Sequence, residues 1–150
     1  MDIFKHKILA YYKQQTEDRI DAFRDMISAL TEDASNDAKG SAGDKHETAL
    51  SMMHLEQEKL NNKLREFLEQ KAILDKINPD AVTEKAALGS VVVANGMHLF
   101  ISAALPKITL DGMAIIALSP QSPLGAKLMG SSVGDTFEVG TTKYLIEKIV

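Results

Sequence analysis

The sequence predicts an α+β protein: an N-terminal antiparallel helical hairpin, then a mostly antiparallel β-sheet domain with one short helix. Three observations predict it. Residues 1–77 hold 12 Lys/Arg and 15 Asp/Glu, whereas residues 78–150 hold only 5 and 6, so a charged half precedes an apolar half rich in Gly and Val. The charged half carries two apolar seams at heptad spacing. The other half carries short apolar runs punctuated by turn dipeptides. The boundary between domains 1–77 and 78–150 falls near Asn78-Pro79-Asp80, because proline disfavours helix in the residue before it.

The first seam runs Ile20, Phe23, Ile27, Leu30, Ala34, with Ile8, Tyr12 and Thr16 extending it upstream. Steps of three and four mark the narrow stripe of a coiled coil. The second seam runs Met53, Gln57, Leu60, Leu64, Phe67, Lys71, Leu74. Charged residues fill the other faces. Stripes this narrow bury themselves best against each other, which gives a hairpin. Helices of about 30 residues at ~1.5 Å rise make an arm of roughly 45 Å. The same heptads also suit a homodimeric coiled-coil interaction module unrelated to any nucleic-acid process, and that alternative stands on periodicity alone.

Residues 35–43, from Ser35 to Gly43, carry turn and cap chemistry without apolar period. Asp44 and Glu47 follow, at the tip. Two roles fit them. Ser41-x-x-Asp44 and Asp44-x-x-Glu47 resemble capping boxes, in which a side-chain oxygen takes a free backbone N–H. Acids three apart also share one helix face and can bind one cation. Mg²⁺ prefers few carboxylates plus water and phosphate oxygens, so two acids are an incomplete site that a partner would complete.

In the second half, residues 89–94 read as a buried strand, Asn95-Gly96 as a tight hairpin turn, and residues 97–103 as the return strand. Residues 113–118 are a further apolar strand. Ser122-Pro123 opens a short helix, with Ser at the N-cap and Pro at N1, and Gly130 stops it. Gly134-Asp135 is a turn, and residues 136–139 and 144–150 supply the closing strands. The expectation is four to six strands.

Composition narrows the function classes. The formal charge is −4, where a protein gripping nucleic acid over a broad surface is more often basic. With no cysteine, disulfides and thiolate metal sites are absent. His6, His46, His54 and His98 show no metal-ligand spacing. No apolar run approaches the ~20 residues of a membrane span. The N-terminal stretch lacks the signature of a signal peptide, so a cytoplasmic protein without membrane contact is expected.

The run from Leu118 to Val139, LSPQSPLGAKLMGSSVGDTFEV, resembles the C-terminal signature of the Gre transcript cleavage factors, GreA and GreB. Ser119, Ser122, Pro123, Leu128, Gly130, Gly134, Asp135 and Val139 match it in order, and Tyr144, Ile146 and Ile149 match the family's ending. The tip, Gly43-Asp44-Lys45-His46-Glu47-Thr48-Ala49-Leu50-Ser51, is similar to the family's G-D-L-x-E-N-A-E-Y at the Gly, Asp, Glu and Ala positions.

The resemblance implies a coiled-coil hairpin followed by an FKBP-like domain. It implies a transcription elongation factor that binds bacterial RNA polymerase and inserts the hairpin into the secondary channel. There it would stimulate transcript cleavage in backtracked complexes. Asp44 and Glu47 would match the acids that hold a Mg²⁺ shared in trans with the polymerase, with no cofactor bound tightly by the factor itself. Gln121, Ser122 and Pro123 would form the polymerase-binding loop. Lys39, Lys45 and His46 would lie near the nascent RNA, met only within the polymerase complex. The factor would not itself be an enzyme; the sequence leaves its oligomeric state open and favours a monomer. The chain departs from the tip motif at Thr48, Leu50 and Ser51, where the family has Asn, Glu and Tyr. A secondary-channel regulator without cleavage activity is the corresponding alternative.

Overall fold

A computed structural model describes residues 3–39 and 43–150; the side chains of residues 34–48 lie outside the described residues. The chain is α+β. Helices α1 (Ile3–Lys39) and α2 (Gly43–Asp75) precede strands β1 (Val91–Ala94), β2 (Met97–Ile101), β3 (Ile108–Leu110) and β4 (Met113–Leu118). Helix α3 (Pro123–Leu128) and strands β5 (Thr136–Val139) and β6 (Thr142–Ile149) follow. Helix α1 runs on to Lys39, past Ser35, where the sequence predicts the break to begin. Two compact units divide the chain: Met1–Lys13 with Ala72–Val150, and Gln14–Lys71.

The hairpin unit, Gln14–Lys71, follows the heptads closely. Thr16, Ile20 and Phe67 are buried, and Phe23, Ile27, Leu30, Met53, Leu60 and Leu64 are half-buried between exposed neighbours. The Phe23 and Phe67 rings meet edge to face at 5.0 Å between centroids. The Gln57 side-chain amide donates to Thr31 Oγ1 at 2.8 Å. Moving outward from Phe23 to Thr31 on α1 therefore means moving back from Phe67 to Gln57 on α2, so the helices pair antiparallel. Gln57, a polar residue in an apolar seam, finds its partner within the hairpin, which offsets its desolvation.

The second unit is built on a six-stranded sheet of order β3-β4-β2-β1-β6-β5. All neighbours are antiparallel except β2 and β4, which run parallel, with His98 opposite Ile115 and Ile101 opposite Leu118. Asn95 (φ 52°) and Gly96 (φ 73°) turn β1 into β2, the positive-φ pair of a type I′ hairpin. Asp111 (φ 51°) and Gly112 (φ 78°) do the same between β3 and β4.

Alternation along each strand gives the sheet two apolar faces. One carries Val91, Phe100, Ile115 and Ala117, and packs against Ile8, Leu9 and Tyr12 of α1, Leu74 at the end of α2 and Ile77 just beyond it. The other carries Val92, Ala94, Leu99, Ile101 and Ile146 and packs against Leu128 of α3 and Ala86. Burying side chains of this size stabilises by about 1.5–3 kcal/mol each.

Polar contacts fix the first turns of α1 within this unit. Lys5 is only 3% exposed, and its Nζ donates to the carbonyls of Ala81 at 2.9 Å and Val150 at 3.3 Å. A buried ammonium without such acceptors costs several kcal/mol (roughly). Tyr12 is fully buried, stacks on Phe100 at 6.0 Å, and donates its hydroxyl proton to Pro106 O at 2.7 Å. Burial, with a smaller contribution from neighbouring Tyr11, pushes the Tyr12 phenol up to about 12. Nearer the surface, His6 pairs with Asp80 at 2.7 Å and Lys7 with Asp111 at 3.0 Å.

Candidate functional site

The residues singled out by the sequence fall in two places. Asp44, Glu47, Lys39, Lys45 and His46 belong to the tip, and their side chains lie outside the described residues. Among the described residues no group of three His, Asp or Glu side chains could hold a metal ion. The other histidines do not supply one. His6 is engaged by Asp80, His54 is exposed, and His98 meets the Phe4 ring edge to face at 5.4 Å.

The stalk that carries the tip has its own cation arrangement. The Arg19 guanidinium lies 5.7 Å from the Phe67 ring centroid, and the Lys63 ammonium 5.6 Å from it. Cations over an aromatic face are worth about 0.5–1 kcal/mol at exposed sites. Phe67 thus joins α1 to α2 through Phe23 and Arg19, while Lys63 is also paired with Glu66 at 3.1 Å. These contacts lock the register of the two helices.

Gln121, Ser122 and Pro123 are brought together in the loop between β4 and α3. Ser122 is the N-cap of α3, with extended backbone (φ −67°, ψ 158°) and Pro123 in the first helical turn. Its hydroxyl works in both directions: Oγ donates to Ser119 O at 2.7 Å and accepts from the Gly125 N–H at 3.0 Å. The Gln121 N–H donates to Ser119 Oγ at 3.1 Å, and Ser119 Oγ donates to Gln121 Oε1 at 3.2 Å. Gln121 and Pro123 are exposed and Ser122 is half-buried. The loop therefore presents an amide and a pyrrolidine ring on a frame closed by its own hydrogen bonds.

Two organisers of this loop, Ser119 and Gly125, escaped the sequence assignment of site residues. A Cβ placed on Gly125 would come 1.9 Å from Ser119 O, so the loop crosses the first turn of α3 where only glycine fits. The signal was present in the Ser119-x-x-Ser122-x-x-Gly125 spacing, since a hydroxyl that bonds backbone three residues on either side needs close packing there.

The chain is similar to the transcription elongation factor GreA of Alkaliphilus oremlandii. The two are 33% identical over 94 residues, which cover 59% of this chain and 58% of that protein. No protein-family model matches the chain. The likeness to GreA supports the Gre-family resemblance carried by the tip motif and the Ser-Pro run.

Proposed function

We propose that this chain is a Gre-type transcription elongation factor acting on bacterial RNA polymerase. The observation that carries the reading is the 33% identity to GreA over 94 residues, in a chain whose first unit is an antiparallel helical hairpin. In this reading the hairpin enters the secondary channel, and Gln121, Ser122 and Pro123 contact the polymerase from the sheet unit. Asp44 and Glu47 offer carboxylate oxygens to a Mg²⁺ held jointly with the polymerase. Two acids suit that ion, which takes few protein carboxylates and completes its shell with water and phosphate oxygens. When bound, it supplies charge neutralisation for in-line cleavage of the transcript. Lys39, Lys45 and His46 lie beside the RNA 3′ segment. The chain contributes ligands and position, not a complete catalytic centre, so it acts as a cytoplasmic factor and not as an enzyme.

The test is transcript cleavage in backtracked complexes with Mg²⁺. The wild-type chain is expected to stimulate cleavage. Asp44→Asn is expected to abolish it while polymerase affinity stays within about twofold, because the carboxamide keeps the size and loses the charge. Full activity of Asp44→Asn would reduce the acids to helix caps. A specific observation favours one second reading: Thr48, Leu50 and Ser51 stand where the resemblance expects Asn, Glu and Tyr. If wild type binds polymerase and occupies the channel without stimulating cleavage, the chain is a secondary-channel regulator. Light scattering that gives a dimer, with no polymerase recovered, would instead support the homodimeric interaction module.

A further inference from the structure

Beyond the end of β1 a side chain carries on the pairing of the sheet. Strand β1 reaches its last residue at the Ala94–Ile146 pair, after a shift of register. Strand β6 begins earlier, at Thr142, and residues 142–145 pair with β5, an edge strand. Backbone groups along an antiparallel strand point alternately to its two sides. Those of Ile146 turn towards the chain entering β5: its N–H donates to Asp135 O at 3.0 Å and its carbonyl accepts from the Gly134 N–H at 2.8 Å. The groups of Lys143 and Leu145 therefore turn the other way, to the side of β1 beyond its last residue. The Asn95 carboxamide meets them there. Its Nδ2 donates to Lys143 O at 2.9 Å, and its Oδ1 accepts from the Leu145 N–H at 3.4 Å. One side-chain amide thus partners two residues of β6 as a peptide group of a longer β1 would.

The same residue sits in a labile chemical setting. Asn95 is exposed in an Asn-Gly turn, so water reaches it. A Cβ built on Gly96 would meet nothing within 4 Å, so the space beside the Gly96 nitrogen is open. In such a pair the glycine nitrogen can attack the asparagine Cγ. The new N–C bond forms, the nitrogen gives up its proton, ammonia leaves and a succinimide ring closes. Water then opens the ring at either carbonyl, giving aspartate or isoaspartate. The fold opposes the first step in two ways. The positive φ angles of the turn, 52° at Asn95 and 73° at Gly96, fix the backbone. Both polar atoms of the carboxamide are bonded to β6, which directs Cγ away from the following peptide.

We propose that Asn95 is a deamidation site gated by this latch, and that the reaction makes a transient opening of the β5–β6 end permanent. Opening releases the carboxamide and frees Cγ for attack. The product cannot close again. An ionised aspartate has acceptors and no donor, so it meets the Lys143 carbonyl with like partial charge. Isoaspartate adds a backbone atom to a turn built on two residues. The proposal is independent of the role of the helical hairpin.

The test is incubation of the full-length chain at mildly alkaline pH, folded and in urea, with peptide mapping for aspartate and isoaspartate at position 95. Deamidation is expected in both, at least about tenfold slower in the folded chain, because only the locally opened fraction reacts. Exchange of the Leu145 amide is expected to be at least about tenfold faster in Asn95→Asp than in wild type, while Leu99 in β2 keeps its protection. Asn95→Gly accepts the positive φ and lacks the carboxamide. It is expected to accelerate Leu145 exchange likewise, which separates loss of the latch from the added charge. Equal deamidation rates in the folded chain and in urea, no deamidation in urea, or unchanged Leu145 exchange in Asn95→Gly would each overturn the proposal.

Discussion

At the scale of single residues, the Ser-Pro loop is held by two positions that do different work. Ser122→Ala removes the hydroxyl that caps α3 and closes on Ser119 O, so a cost of about 1 kcal/mol is expected. Gly125→Ala forces a methyl group against a backbone carbonyl, which cannot be relieved by rotating a side chain. It is expected to cost more than Ser122→Ala and to lower the midpoint of denaturant unfolding further. Equal midpoints for Gly125→Ala and wild type would refute the close approach. Tyr12 makes a different kind of prediction. Its ordinary pKa is 10.0 and the folded chain raises it to about 12. The unfolded chain therefore loses the phenol proton first as pH rises. The contribution of Tyr12 to stability is complete below pH 10 and is lost as pH climbs from about 10 to about 12. Tyr12→Phe is expected to remove that alkaline decline. At neutral pH it is expected to cost about 0.5–1.5 kcal/mol, the net worth of the bond to Pro106. A decline of wild-type magnitude in Tyr12→Phe would assign the effect to another group.

At the scale of elements, Phe67 is the residue on which the hairpin register turns. It is 4% exposed and contacts Phe23, Arg19 and Lys63. Phe67→Ala is expected to cost about 3 kcal/mol, the low end for a buried phenylalanine, because Phe23 remains partly exposed. Hydrogen exchange should accelerate in amides of the Gln14–Lys71 unit while β1 and β2 keep their protection. Uniform acceleration through both units would contradict the assignment. The elements also differ in how legible they are. Heptad steps name a face, and every described seam position from Met53 to Leu74 is at least half-buried. Asn95-Gly96 and Ser122-Pro123 fix backbone angles directly, so the β1–β2 turn and the start of α3 were readable. Strand β3 is not legible in the sequence. It is three residues long, too short for alternation to register, although Asp111-Gly112 after it is a hairpin dipeptide. In the candidate site, Ser122 and Pro123 are legible because a cap has a sequence signature, whereas the pairing of Val93 with Lys148 in the sheet depends on the register of β1 with β6. No local pattern encodes register between strands that are distant in the chain.

At the scale of the whole molecule, periodicity identified the apolar face of each helix but could not name what covers it. Ile8 and Tyr12 continue the α1 seam in sequence, yet they pack on Phe100, Val91 and Ile115 of the sheet. Leu74 ends the α2 seam in the same cluster. The sheet unit therefore includes both Met1–Lys13 and the chain from Ala72. A fragment of residues 78–150 would keep all six strands and lose Ile8, Leu9, Tyr12, Leu74 and Ile77 from one face of the sheet. At about 1.5–3 kcal/mol for each large buried side chain, that loss is comparable to the roughly 5–15 kcal/mol of net stability typical of a domain. Lys5 and its bonds to Ala81 and Val150 are lost with them. The 78–150 fragment is expected to lack cooperative thermal unfolding and to give poorly dispersed amide resonances. Joining residues 1–13 to 72–150 through a short Gly/Ser linker retains the whole apolar cluster and is expected to restore both properties. If the 78–150 fragment unfolds cooperatively at the temperature of the linked protein, the helix ends are not part of the sheet unit's core.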